Sequence, residues 1–85
     1  MGEKKLVGKV THYYGKLAVA IVELEDDLEY GDRISIEGPS TNIEQTVDSM
    51  QIEHNAVKIA HKGDAVGLKV SDKVRPGDNV YKIAE

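Results

Sequence analysis

The segment MQIEHNAVKIAHKGDAVGLKV, residues 50–70, gathers three side chains able to exchange a proton or hold a metal: His54, His61 and Asp64. A zinc-type centre needs three or four ligands converging on one point. His54 and His61 stand seven residues apart and meet only if the chain between them bends back. His12 or Asp64 could complete such a set, but no spacing brings them together. The pattern fits histidines on strand margins, with the roles of His12, His54 and His61 left open. The acidic run ELEDDLEY, residues 23–30, invites Ca²⁺ but lacks the turn glycine and twelfth-position Glu of a calcium loop. GKV at 8–10 has the ending of a phosphate-binding loop, yet Glu3 stands where the leading glycine belongs and Val10 replaces the hydroxyl residue. Ser35, Ser40, Ser49 and Ser71 have no His and acid at a nucleophile's spacing. No carboxylate pair sits where a raised pKa is expected. There is no Cys, which removes thiol catalysis, thiolate metal sites and disulfides together. The chain is therefore expected to carry no catalytic residue, no metal and no cofactor.

The elements that position these side chains are strands. With 85 residues, 40% apolar and 31% charged, the chain makes one domain, residues 1–85 with a core over about 5–84. In LVGKVTHYY, residues Leu6, Gly8, Val10, His12 and Tyr14 fall on one face, and Val7, Lys9, Thr11 and Tyr13 on the other. A turn at Tyr14-Gly15-Lys16 leads to LAVAIVEL, residues 17–24, which is apolar on both faces as far as Val22, as in a central barrel strand. RISIEG turns Ile34 and Ile36 inward and Arg33, Ser35 and Glu37 outward, and GPSTN turns the chain again. NIEQTVDSMQIEHN reads as the longest strand. Ile43 and Val47 share one parity and Met50 and Ile52 the other, so a bulge is expected near Asp48-Ser49. Val57 and Ile59 mark a short strand, Val66, Leu68 and Val70 another, and NVYKI the last. Gly-Asp recurs at 31–32, 63–64 and 77–78, each time before a strand, where a tight turn asks its glycine for a positive φ. Seven or so strands without a helical stripe predict an all-β sandwich or a small closed barrel, and closure is favoured because it removes edges.

Charge is distributed unevenly. Residues 1–20 hold four Lys against Glu3, residues 21–53 ten carboxylates against Arg33, and residues 54–85 six cations against four acids. Lys58, His61, Lys62, Lys69 and Arg75 are the candidates for an RNA- or partner-facing surface, acting on phosphates rather than bases. Lys73 lies beside them. Tyr13, Tyr14, Tyr30 and Tyr81 could stack on a base wherever they face outward. The acidic segment 23–32 is the counterpart for a basic protein partner. No apolar run approaches a membrane span, and MGEKKLVGKV has no signal-peptide core, so the cytoplasm is the default. Gly2 raises N-myristoylation, but the sixth residue is Leu6, and the motif fails.

Two stretches carry a resemblance: YGDRISIEGPSTNIEQTVDSMQIEHNAVKIAHKGDAVGLKV and KVRPGDNVYKI. Their succession of Gly-Asp-x-Ile-x-Ile-x-Gly, Val-x-Ser-Met-Gln, Ala-x-x-Gly-Asp-x-Val-Gly-Leu and Arg-x-Gly-Asp-x-Val resembles the second domain of translational GTPases such as elongation factor Tu and initiation factor two. It is also similar to the C-terminal barrel of collagenase-like peptidases and to stand-alone translation elongation factor-like proteins. The resemblance implies a closed Greek-key β-barrel of about six to seven strands. It further implies a non-catalytic binding module engaging tRNA, ribosomal RNA or an RNA-associated protein, with neither DNA nor membrane expected. GTP hydrolysis does not carry over, because the phosphate loop and the guanine-reading motifs are missing. The alternative is a protein-interaction or regulatory domain, the detached accessory barrel of a peptidase-like enzyme.

Overall fold

β-Branched and apolar residues alternate with polar ones along most of the chain, and the backbone responds with strands. The computed structural model describes residues 3–84, so Gly2 and its motif lie outside the described residues. Among the described residues there are ten strands and no helix: β1 (Glu3–Tyr14), β2 (Val19–Leu24), β3 (Leu28–Glu29), β4 (Arg33–Gly38), β5 (Thr41–Thr46), β6 (Met50–Ile52), β7 (Asn55–Ala56), β8 (Ile59–Ala60), β9 (Ala65–Lys69) and β10 (Asn79–Ala84). Eight of them form one sheet in the order β5-β4-β10-β1-β2-β9-β6-β7, while β3 and β8 pair separately. The sheet curls around short aliphatic side chains, among them Val10, Val22, Ile36, Val66, Leu68 and Val80, all buried. Each such side chain contributes roughly 1.5–3 kcal/mol on burial.

The three Gly-Asp dipeptides are one device used three times. Gly31, Gly63 and Gly77 have φ of 91°, 92° and 96°. In each turn the Asp N–H donates to the carbonyl three residues earlier: Asp32 to Glu29, Asp64 to His61, Asp78 to Arg75, at 2.9–3.1 Å. The same Asp then accepts, on Oδ2, the N–H of that earlier residue at 2.9 Å. Each turn also docks on a buried apolar residue. Gly31, Gly63 and Gly77 donate to the carbonyls of Val47, Leu24 and Val10, whose own N–H groups donate back to the carbonyls of Asp32, Asp64 and Asp78. Four hydrogen bonds per turn thus fasten the ends of the curled sheet.

The closed barrel does not form: the two end strands of the sheet, β5 and β7, share no ladder. The expected phase change appears as a break over residues 47–49, with Val47 and Met50 both buried, and β6 pairs with β9 instead of extending the β5 ladder. Opposite β5 lies the connection after β9, where the Asp72 carboxylate takes the Lys73 N–H at 2.7 Å and Pro76 enters a turn. Side-chain bonds of this kind compete with a ladder. The Gln45 side chain crosses, donating from Nε2 to the Lys69 carbonyl at 2.7 Å and accepting the Ser71 N–H on Oε1 at 2.8 Å.

Other expectations shift for local reasons. The single face from Leu6 to Tyr14 is broken by two register shifts in β1, one between Leu6 and Gly8 against β10 and one between Val10 and His12 against β2. As a result Val7, Gly8 and Val10 are buried, while Leu6, His12 and Tyr14 are exposed. β2 begins at Val19 rather than Leu17, because Ala18 turns at φ 54°. The long strand read through Asn55 reverses at Glu53-His54, with φ of 50° and 67°. Ala60, not Ile59, enters the core, because β8 lays Ala60 against the buried Leu28. Ser35 is buried rather than outward, its hydroxyl donating to Glu37 Oε2 at 2.7 Å.

Candidate functional site

The outer face of β1, β2, β9 and β6 is assembled from cross-strand rows. Lys9, Glu23 and Ala65 form one row; His12, Ile21, Gly67 and Gln51 the next; Tyr14, Val19 and Lys69 the third. In β2, Ala20, Val22 and Leu24 point into the core, so Val19 and Ile21 must point out. Gly67 has no side chain between Ile21 and Gln51, and the missing atoms leave a groove of about 400 Å³. Tyr14 and Leu17, 51% and 67% exposed, wall one end, and the Glu53-His54 turn stands on the rim. His12 lies across from Ile21, its ring 6.4 Å from that of Tyr14. Apolar surface gathered on one outer face is the kind of feature an interaction surface needs.

Elsewhere on the surface four ion pairs form: Lys4–Glu37 at 2.6 Å, Lys5–Asp26 at 2.5 Å, Lys82–Asp32 at 3.3 Å and Arg33–Glu44 at 3.8 Å. The hydrogen bond to Glu37 holds the Lys4 ammonium above its ordinary pKa, and the bonds from Lys4 and then Ser35 hold Glu37 below the usual carboxylate range. Lys5 is raised by its bond to Asp26, and Asp26 is lowered first by Lys5 and then by the Asp27 amide. Lys4 and Lys5 are exposed and Asp26 and Glu37 only half-buried, so water screens these pairs and they stabilise little. None of them lies on the groove face.

The five basic residues singled out in the sequence are spread among separate places. His61 and Lys62 occupy the second Gly-Asp turn, where His61 Nδ1 meets Asp27 at 3.2 Å and Asp64 takes its backbone N–H. Lys58 lines a groove with Tyr30 and Val57 beside Met50. Lys69 lies with Arg33, Glu44 and Asp48 on one side of the Gln45 bridge, and Arg75 with Lys73 and Asp72 on the other. Carboxylates accompany the cations in each place. His54 and His61 do not meet, and no group of three potential metal ligands occurs among the described residues. The sequence reading offered Tyr14 only as a base-stacking residue and gave Leu17, Val19, Ile21 and Gly67 no place on a binding surface. Its signal was present in LAVAIVEL, whose second apolar parity faces outward instead of into a closed interior.

No family model matches this chain. It is 48% identical over 80 residues to an uncharacterized protease of Methanocaldococcus jannaschii, covering 93% of this chain and 20% of that protein. It is 40% identical over 82 residues to a collagenase of Porphyromonas gingivalis, covering 94% of this chain and 23% of that one. The solved C-terminal domain of a putative U32 peptidase of Geobacillus thermoleovorans superposes with a TM-score of 0.86 at 25% identity, covering 92% of this chain and 91% of that domain. Its selenomethionine variant gives 0.85 at 24% identity, covering 89% and 96%. The chain thus spans about a fifth of the curated relatives it matches. It is similar to one domain of peptidase-like proteins, which supports the peptidase side of the resemblance carried by its motifs.

Proposed function

We propose that this chain is a non-catalytic accessory domain of a peptidase-like protein and packs on the peptidase-like portion through the groove centred on Gly67. The observation that carries the proposal is the extent of the likeness: nearly all of this chain matches, yet only a fifth to a quarter of each relative is involved. A domain so placed needs a surface for the remainder, and domain interfaces within such proteins combine an apolar centre with a polar rim. The face holding Tyr14, Leu17, Val19 and Ile21 has that make-up, with Lys9, Glu23, Glu53, His54 and Lys69 around it. A face for RNA would need the cations of Lys58, His61, Lys62, Lys69 and Arg75 to act together, and their dispersal among carboxylates gives that reading no support.

The test is calorimetric titration of this chain into the M. jannaschii protease with its matching segment removed. Association is expected, and Gly67→Arg, which plugs the groove from outside, weakens it at least tenfold. A titration without heat, alongside binding of total tRNA at low salt, would overturn the proposal.

A further inference from the structure

β5 is a long open edge. Its six residues pair with β4 without interruption, from Gly38↔Thr41 to Arg33↔Thr46. Gly38 and Thr41 close a two-residue turn, and the Val47 N–H donates to the Asp32 carbonyl at 2.8 Å. Odd-numbered residues of β5 therefore bond to β4, and the N–H and C=O groups of Asn42, Glu44 and Thr46 face the other way. Among the described residues no backbone group answers them. The opposite end of the sheet is blunted, because β7 is two residues long. β5 carries neither Lys, nor Pro, nor a bulge, and its only charged residue is Glu44.

The open edge also forms one wall of a cleft. Segment 69–75 is the other wall, and the cavities on either side of Gln45 measure about 420 and 410 Å³. We propose that this cleft binds a single extended polypeptide strand, which pairs with β5 by backbone hydrogen bonds. The Gln45 amide already shows what such a strand would do on the far wall. It supplies one N–H to the Lys69 carbonyl and one C=O to the Ser71 N–H, the donor and acceptor of a peptide group. An incoming strand replaces that amide bond for bond. A side-chain reach of about 5 Å plus the hydrogen bond puts the walls roughly 7–8 Å apart, against about 9.6 Å for two ladder spacings, so the cleft widens by about 2 Å on binding. That movement falls on residues 71–73, an exposed stretch outside the strands between the buried Val70 and Val74. A second copy of the domain does not fit, because its own β5 is flanked by β4 and cannot enter between two walls. Arg33, Lys69, Lys73 and Arg75 stand against Glu44, Asp48 and Asp72, so the walls select no strong charge, and recognition rests on the peptide backbone. The cleft shares only Lys69 with the groove at Gly67, as a rim residue there and a wall residue here.

The probe is a capped decapeptide of alternating Val and Thr with a Lys at each end, titrated into the labelled protein and followed by amide NMR and hydrogen exchange. The expected result is a shift of the Asn42, Glu44 and Thr46 amides and at least tenfold slower exchange there. The same peptide N-methylated at alternate residues should bind at least tenfold more weakly. Gln45→Ala, freed of its competitor, should bind the unmodified peptide severalfold more tightly. The wild-type titration decides the matter alone should that variant not fold. Absence of protection at the three amides overturns the proposal, as does equal binding of the N-methylated peptide. Concentration-dependent protection without peptide overturns it too, since that identifies a second copy.

Discussion

Asp78 is the most deeply buried of the three aspartates that close the Gly-Asp turns, 2% exposed, with its carboxylate against Gly38. Asp78→Ala leaves the Arg75 N–H without its acceptor in a nearly dry site and should cost about 1–3 kcal/mol in urea unfolding. Asp64→Ala removes the same bond where water can replace it, and should cost under about 1 kcal/mol. The opposite sign is expected at Glu53-His54. These residues occupy a two-residue hairpin turn with positive φ at both positions, where Asn-Gly is the favoured pair. Left-handed backbone costs an ordinary residue roughly 1–2 kcal/mol, and glycine returns part of any gain through chain entropy. Glu53→Asn with His54→Gly should stabilise by about 1 kcal/mol, a rise of roughly 4–8 °C in Tm for a domain of this size. The Gly-Asp glycines were legible because Gly-Asp before a strand has few other uses. The Glu53-His54 turn was not, since its residues prefer other conformations and only the pairing of β6 with β7 imposes this one.

Two glycines separate what a strand needs for its fold from what it leaves open. A Cβ at Gly8 would come within 2.7 Å of Val22 Cγ1 and 2.8 Å of the Glu23 carbonyl, so β1 and β2 approach closely only because that atom is missing. At Gly67 the nearest atoms would be Val19 Cγ1 at 3.5 Å and Ile21 Cδ1 at 3.8 Å, which is ordinary contact. Gly8→Ala should therefore destabilise by about 1–3 kcal/mol, while Gly67→Ala should fall within about 0.5 kcal/mol of the parent in the same thermal or urea measurement. Gly67 is thus free to serve the surface. Strand identity was readable from alternation at β4 and β9, where one parity is aliphatic and buried. It failed in β1, where two register shifts alter which residues share a face. It failed again in β8, where pairing with β3 decides that Ala60 rather than Ile59 turns inward.

At the scale of the whole molecule, the sheet curls as a barrel would but stays open along β5, and one outer face lacks the ion pairs found elsewhere. An all-β domain was legible from the turns and alternation alone. Openness was not, since it depends on how segment 70–78 competes with a ladder, and the site was not, since outward Val19 and Ile21 look like core in a one-dimensional pattern. The two proposals assign these exposed features distinct uses: an apolar face for the peptidase-like portion and a polar edge for an extended chain. The most direct test of the accessory-domain account is hydrogen-exchange footprinting of this chain, alone and mixed with the M. jannaschii protease lacking its matching segment. Slower exchange over residues 14–21 and 65–67 is the predicted result. No change anywhere, or protection confined to Lys58 through Lys62, would contradict it.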